Sequence, residues 1–328
     1  MSLSAPHPEI LPVGAGDRDA IDAALKLLDA GRCVVVPTET VYGLAADATN
    51  GEAAASIFEA KGRPSFNPLI CHVASMAMAA RHAEVDPVAH KLMTAFWPGP
   101  LTIVLDLAAS SEIHPLVTAG LMTVGLRMPR GGLRELAERL GRPLAAPSAN
   151  RSGGVSPTTA EHAARSLGSR VPLILDAGRT EVGVESTIVR VAGDHVVLLR
   201  PGGITRDELR EAVGLPIVDA GEGGAITAPG QLSSHYAPFG SVRLDAAHVE
   251  PGEWLISFGR SKIEGRDHAA GEINLSPAGD LREAAANLFG ALSSLDRPDV
   301  KAIAVASVPR TGLGEAINDR LRRAAAPR

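Results

Sequence analysis

The chain has 328 residues, of which 45% are apolar, 3% aromatic and 21% charged, with a formal net charge of −5. That length points to two domains with well-filled cores, and the acidic balance and scarce aromatics argue against a surface built to grip nucleic acid. Two cysteines, Cys33 and Cys71, exclude a disulfide framework, and no apolar run reaches membrane-spanning length, so a cytoplasmic protein with no membrane contact is expected.

From Asp19 to Ala30, the residues Ile21, Ala24, Leu25 and Leu28 share one helical face, and Gly31 closes the helix. CVVVP then reads as a buried strand stopped by Pro37. A second helix begins near Glu52, carries Ala54, Ile57 and Phe58 inward and ends before Gly62. LICHV is a strand and Val88 to Phe96 a helix. LTIVLDL and LMTVGLRM are strands, followed by a helix in RELAERLG and a short strand in PLAAP. Thr158 with Glu161, and Thr205 with Glu208, have capping-box spacing and open two more helices. PLILD, STIVRV and VVLLR complete a first α/β unit with a mixed sheet, residues 1–213.

Residues 214–240 are rich in glycine and proline and lack periodicity, which marks a linker long enough to carry function. Residues 241–328 form a smaller, Rossmann-like α/β unit: WLISF and AIAVAS are strands, Ser276-Pro277 has the chemistry of a helix start, and Ala316 to Ala325 is a terminal helix.

The usual catalytic signatures are absent. There is no Walker loop, no third glycine after Gly14 and Gly16 or after Gly312 and Gly314, no HExxH and no GxSxG. What remains is a series of polar groups at strand ends, where open α/β sheets bind ligands. Thr38, Glu39 and Thr40 follow the first buried strand, and an ordinary Pro-Thr turn is the alternative. KGRPSFNPLICHV places Lys61, Arg63, Asn67 and His72 within twelve residues; the lysine and arginine suit a polyphosphate or, equally, a cationic helix C-terminus. Arg127 lies inside an apolar strand, so a carboxylate or a ligand must pair with it. PLAAPSANRSGGVSPT brings small residues and hydroxyls between a strand and a helix, and EST (Glu185 to Thr187) and Arg200 add polar groups at further strand ends.

PTETVYGL, KGRPSFNPLICHV, WPGPLTIVL, VGLRMP, APSAN, GVESTIV and LLRPG occur in that order, with SSHYAP in the linker and RTGLGEAINDR near the end. Across nearly the whole chain these blocks resemble the YrdC family in its two-domain form, the threonylcarbamoyl-AMP synthases. The resemblance implies a twisted mixed sheet with flanking helices, plus the smaller C-terminal domain. It implies a nucleotidyltransferase that makes L-threonylcarbamoyladenylate from L-threonine, bicarbonate or CO2 and ATP with Mg²⁺, releasing pyrophosphate. A downstream transferase complex would pass the group to a tRNA adenosine; any direct tRNA contact would be weak.

The family's Lys-x-Arg and Ser-x-Asn signatures fall on Lys61, Arg63, Ser148 and Asn150, the expected catalytic set. By the same matching, Arg63, Asn67, Thr123, Ser148, Ser156, Arg200 and the linker's Tyr236 are expected to meet ATP. Thr40, His72, Arg127, Ala146 and Ser186 are expected to meet threonine, with Arg127 pairing its carboxylate. Ser234 and His235 are further linker candidates, Ser233 standing where the family has an aromatic, and the linker is expected to fold over the nucleotide. No protein-built metal site is expected. The competing reading is a non-catalytic RNA-binding protein using the same concave face.

Overall fold

The computed structural model describes residues 7–14, 18–221 and 235–327, so the linker candidates Ser233 and Ser234 lie outside the described residues. Its strands are β1 (Glu9–Pro12), β2 (Val34–Val36), β3 (Gly43–Asp47), β4 (Ile70–His72), β5 (Leu101–Asp106), β6 (Thr123–Arg127), β7 (Leu144–Ala145), β8 (Leu173–Asp176), β9 (Thr187–Ala192), β10 (His195–Arg200) and β11 (Ile217–Asp219). They form one sheet in the order β1-β8-β2-β3-β7-β4-β6-β5-β9-β10-β11. Parallel pairs such as β4 with β6 alternate with antiparallel ones such as β5 with β6, giving the mixed sheet expected. Val34, Val35 and Val36 are fully buried, as a strand covered on both faces requires.

Local chemistry sets the elements that matter for the site. The helix Gly51–Lys61 starts where the Asn50 side chain accepts from the Glu52 and Ala53 N–H groups. It stops at Gly62, whose φ of 60° is left-handed, and this turn throws the chain from Lys61 toward Arg63. Thr205 and Glu208 form the reciprocal capping box expected of them. The helix Ala160–Leu167 starts one residue later than the spacing suggested: Thr159 caps it, while Thr158 faces the His162 ring. Ser276 likewise does not start a helix. Asp280 caps Leu281–Leu295, and Ser276 instead accepts from the Asp280 N–H within the preceding turn.

The smaller sheet has four parallel strands, β12 (Ser241–Arg243), β13 (Trp254–Ser257), β14 (Gly271–Asn274) and β15 (Ala302–Val305), in the order β12-β15-β13-β14. Residues read as the start of a linker, Ile217–Asp219, extend the large sheet as β11. The two units share a core. Val41, Val155, Val184 and Tyr236 cluster with Leu288, Phe289 and Ile317 of the smaller one. This seam lies against the loops that carry the polar segments singled out above.

Candidate active site

The parallel register of β4 and β6 sets His72 beside Arg127. Residues on one strand face alternate, so Thr123, Gly125 and Arg127 point the same way. Arg127 donates from Nε to the Gly99 carbonyl at 3.2 Å, and its Nη2 lies 2.8 Å from Glu39 Oε1. Sequence reasoning gave the burial of Arg127 to a substrate carboxylate; the protein supplies its own, Glu39, from the turn after β2.

His72 is buried, and burial followed by the charge of Arg127 pushes its pKa down to about 3. It is therefore a neutral imidazole at physiological pH. Its Nδ1 has no hydrogen-bond partner among the described residues. A buried, unpaired ring nitrogen beside a guanidinium is poised for a ligand.

Arg63 is held by two carbonyls of its own loop, from Nε to Asn67 (3.1 Å) and from Nη2 to Pro68 (2.8 Å). Burial first, then repulsion from Arg200, lowers its pKa to about 10, which leaves it charged at neutral pH. Arg200 grips the Ser186 carbonyl from Nε and Nη2 at 3.1 and 2.9 Å. The turn after Arg200 needs Gly202, because a Cβ there would come within 2.4 Å of the Glu185 carbonyl oxygen.

Lys61 is placed differently from a phosphate-reaching lysine. Its amine is buried and donates to the carbonyls of Ser148 and Asn150, each at 2.5 Å. Burial, then the neighbouring Arg63, lowers its pKa well below the ordinary lysine value. The Asn150 amide in turn donates to the carbonyls of Arg151 and Gly154, both at 2.8 Å. Lys61 and Asn150 thus fix the shape of the loop that presents Ala146 and Ser148.

Thr40, His72, Arg127, Ala146 and Ser186 all line one partly open cavity of about 50 Å³, together with Arg63, Ser148, Arg200 and Tyr236. Lys61, Asn67, Asn150 and Ser156 are buried around it without lining it. Thr123 lies on the Arg127 face four residues back, roughly 13 Å along the strand. Roomier clefts exist, including one of about 500 Å³ beyond Glu39, but the smaller cavity gathers the convergent cations and unpaired polar atoms and is taken as the site.

His235 and Tyr236, linker residues within the described part of the chain, also line this cavity. The Tyr236 ring packs 5.2 Å from that of Phe289, and burial raises its hydroxyl to about 12. Burial also drops His235 to about 3, so it too is neutral.

Arg320 has no place in the sequence reading, and Glu185 enters it only as a polar group at a strand end, without its partners. Glu185 accepts from Ser156 Oγ at 2.6 Å and from Arg320 Nε at 2.7 Å. Burial alone would raise its pKa, but Arg320 and Arg200 outweigh that and hold it at about 2. Arg320 comes from the terminal helix and is 0% exposed. The signal was available: it falls on the same helical stripe as Ala316, Ile317, Leu321 and Ala324, where an arginine requires a partner.

The Sua5/YciO/YrdC family model, described as telomere recombination, matches residues 26–202, and the model described as the threonylcarbamoyl-AMP synthase C-terminal domain matches residues 204–326. The chain belongs to the Sua5/YrdC family. A threonylcarbamoyl-AMP synthase from Bacillus subtilis is 41% identical over 94% of this chain and 93% of its own length. One from Pyrococcus abyssi is 41% identical over 90% of each. Among solved Sua5/YrdC structures, a double-alanine variant of P. abyssi Sua5 superposes with a TM-score of 0.87 at 34% identity, covering 97% of this chain and 96% of that one. P. abyssi Sua5 complexed with L-threonine gives 0.84 at 35% identity, covering 97% of both chains. Among the described residues no helix is long and apolar enough to cross a membrane.

Proposed function

We infer that this chain synthesises L-threonylcarbamoyladenylate from L-threonine, bicarbonate or CO2 and ATP, releasing pyrophosphate, as the first step of tRNA threonylcarbamoyladenosine formation. The observation that carries the reading is the convergence of all five expected threonine residues on one cavity. Full-length similarity to threonylcarbamoyl-AMP synthases, one of them solved with L-threonine, supports the same assignment. An RNA-binding platform is not favoured by polar groups that converge on one small cavity rather than across a face.

In this reading the threonine carboxylate pairs with Arg127, and its hydroxyl and amine lie among Thr40, His72 and Ser186. The amine adds to CO2 with loss of a proton, giving an N-carboxylate. A carboxylate oxygen then attacks the α-phosphorus of ATP, the bond to the β-phosphate oxygen breaks, and pyrophosphate leaves. Such a reaction depends on positioning and charge neutralisation more than on a covalent nucleophile. Arg63 and Arg200 supply fixed positive charge for the phosphates, and Lys61 holds the Ser148–Asn150 loop in shape. His72, at about 3, is too weak a base to take the amine proton and serves as a neutral hydrogen-bonding group.

The nucleotide enters as MgATP. Among the described residues Glu185 is the only carboxylate lining the cavity, and both its oxygens are already engaged by Ser156 and Arg320. Mg²⁺ keeps its waters and its phosphate ligands in such a site and needs no protein cage. Tyr236, which lines the cavity beside Arg63 and Arg200, is the linker residue expected to meet ATP. We place the enzyme in the cytoplasm, upstream of a transferase that accepts the adenylate.

The test is pyrophosphate release from MgATP with threonine and bicarbonate omitted in turn. Release that requires both supports the reading. Equal release without either contradicts it.

A further inference from the structure

Arg127 has a partner whose role the reaction does not explain. Glu39 is buried, and its Oε2 accepts from the backbone N–H of Arg130 at 3.1 Å. Its own carbonyl accepts from the Val182 N–H at 2.9 Å, so the residue is anchored at both backbone and side chain. Glu39 does not line the substrate cavity. It lines the larger cleft, which Arg127 does not, so its carboxylate meets the guanidinium from outside the substrate cavity.

The contact between the two side chains has an informative geometry. Oε1 and Nη2 are 2.8 Å apart, yet neither atom makes a directed hydrogen bond within the described residues. The charges touch while the N–H groups of Nη2 point elsewhere. Of the five N–H donors of a guanidinium, Nε–H is spent on Gly99 and the Nη groups stay unspent. A buried arginine with no counter-charge would be costly and free to swing; one whose counter-charge consumed its donors could not bind a substrate.

We propose that Glu39 is the positioning residue for Arg127, neutralising and holding the guanidinium from outside the cavity while leaving its Nη donors to the threonine carboxylate. This rests on the reading that threonine binds at Arg127. An interaction that orients a substrate-binding group equally in ground and transition states appears in KM rather than kcat. The effect of Glu39 therefore falls on the KM for threonine and spares that for ATP.

The experiment measures steady-state pyrophosphate release by Arg127→Ala, Glu39→Gln, Glu39→Asp and the double variant Arg127→Ala/Glu39→Gln, with thermal unfolding of each. Glu39→Gln, which can still accept from the Arg130 N–H, is expected to raise the threonine KM at least tenfold. Its ATP KM and its kcat should stay within about threefold of wild type. Glu39→Asp, which keeps the charge and shortens the reach, is expected to fall between the two. In the Arg127→Ala background, Glu39→Gln should add less than a further twofold.

An unchanged threonine KM in folded Glu39→Gln overturns the proposal. So does a lowered one, which would make Glu39 a competitor for Arg127, or an equal rise in both KM values, which would make its role general support. Should Glu39→Gln not fold, a wild-type threonine KM in Glu39→Asp overturns it instead. A wild-type threonine KM in Arg127→Ala is a different result: it removes the threonine site from Arg127 and with it the basis of the proposal.

Discussion

Replacing Arg320 by methionine removes the cation that joins the two domains at the rim of the site. The substitution keeps an unbranched side chain but takes from Glu185, which is 7% exposed, its ion-pair partner, while Asp319 retains Arg323 at 3.0 Å. Removing one member of a buried ion pair costs about 3–5 kcal/mol. An independent route gives a similar figure. Glu185 is held at about 2 against an ordinary value of 4.5, about 3 kcal/mol at ~1.4 kcal/mol per pH unit, a net effect of burial opposed first by Arg320 and then by Arg200 and Ser156.

The sign follows from the direction of that depression. A carboxyl depressed in the folded state stabilises fully above its unfolded value and loses that contribution as pH falls toward the folded one. Urea unfolding of wild type and Arg320→Met at pH 7 should therefore differ by about 3 kcal/mol, and at pH 3 by roughly half of that. The same loss at both pH values would refute the electrostatic argument and leave packing as the cause. No loss at pH 7 would refute the pair's importance altogether.

Arg63→Ala is expected to lower pyrophosphate release at least 100-fold with its melting temperature near that of wild type; an unchanged rate would remove Arg63 from the site. Gly202→Ala forces a Cβ to within 2.4 Å of backbone atoms of Glu185 and Ser186, so it should lower the melting temperature by several degrees in a thermal scan. Because His72 is already neutral far above its depressed pKa, kcat/KM measured from pH 5.5 to 8 should show no inflection that disappears in His72→Gln. An imidazole inflection lost in that variant would mean that His72 titrates during the reaction.

The parts of the fold that could be read from the sequence were those written in continuous apolar runs. CVVVP and LTIVLDL became β2 and β5, since strands covered on both faces need such runs, and VVLLR became β10, whose residues alternate between buried and half-buried. Gly43–Asp47 was not recognised, because GLAAD has neither alternation nor strand propensity and is held by its neighbours β2 and β7. Ile217–Asp219 was hidden for a related reason: three residues pair with β10 inside a stretch whose composition reads as linker.

The site divided along the same line. Residues that act from their own strand end, such as His72, Arg127 and Arg200, declared themselves as polar groups in apolar surroundings. Residues that act across the fold did not. Glu185 and Arg320 are separated by 135 positions and meet only once the two domains have packed. Lys61 stands out in the sequence beside Arg63, but only the tertiary structure places its amine on the Ser148 and Asn150 carbonyls.

In the proposed function, Arg127 is the group of the cavity that reads the carboxylate of threonine. The most direct test compares pyrophosphate release from MgATP and bicarbonate with L-threonine and with L-threoninol, which keeps the amine and hydroxyl but lacks the carboxylate. The account predicts turnover with threonine and background release with threoninol. Comparable rates with both would contradict it.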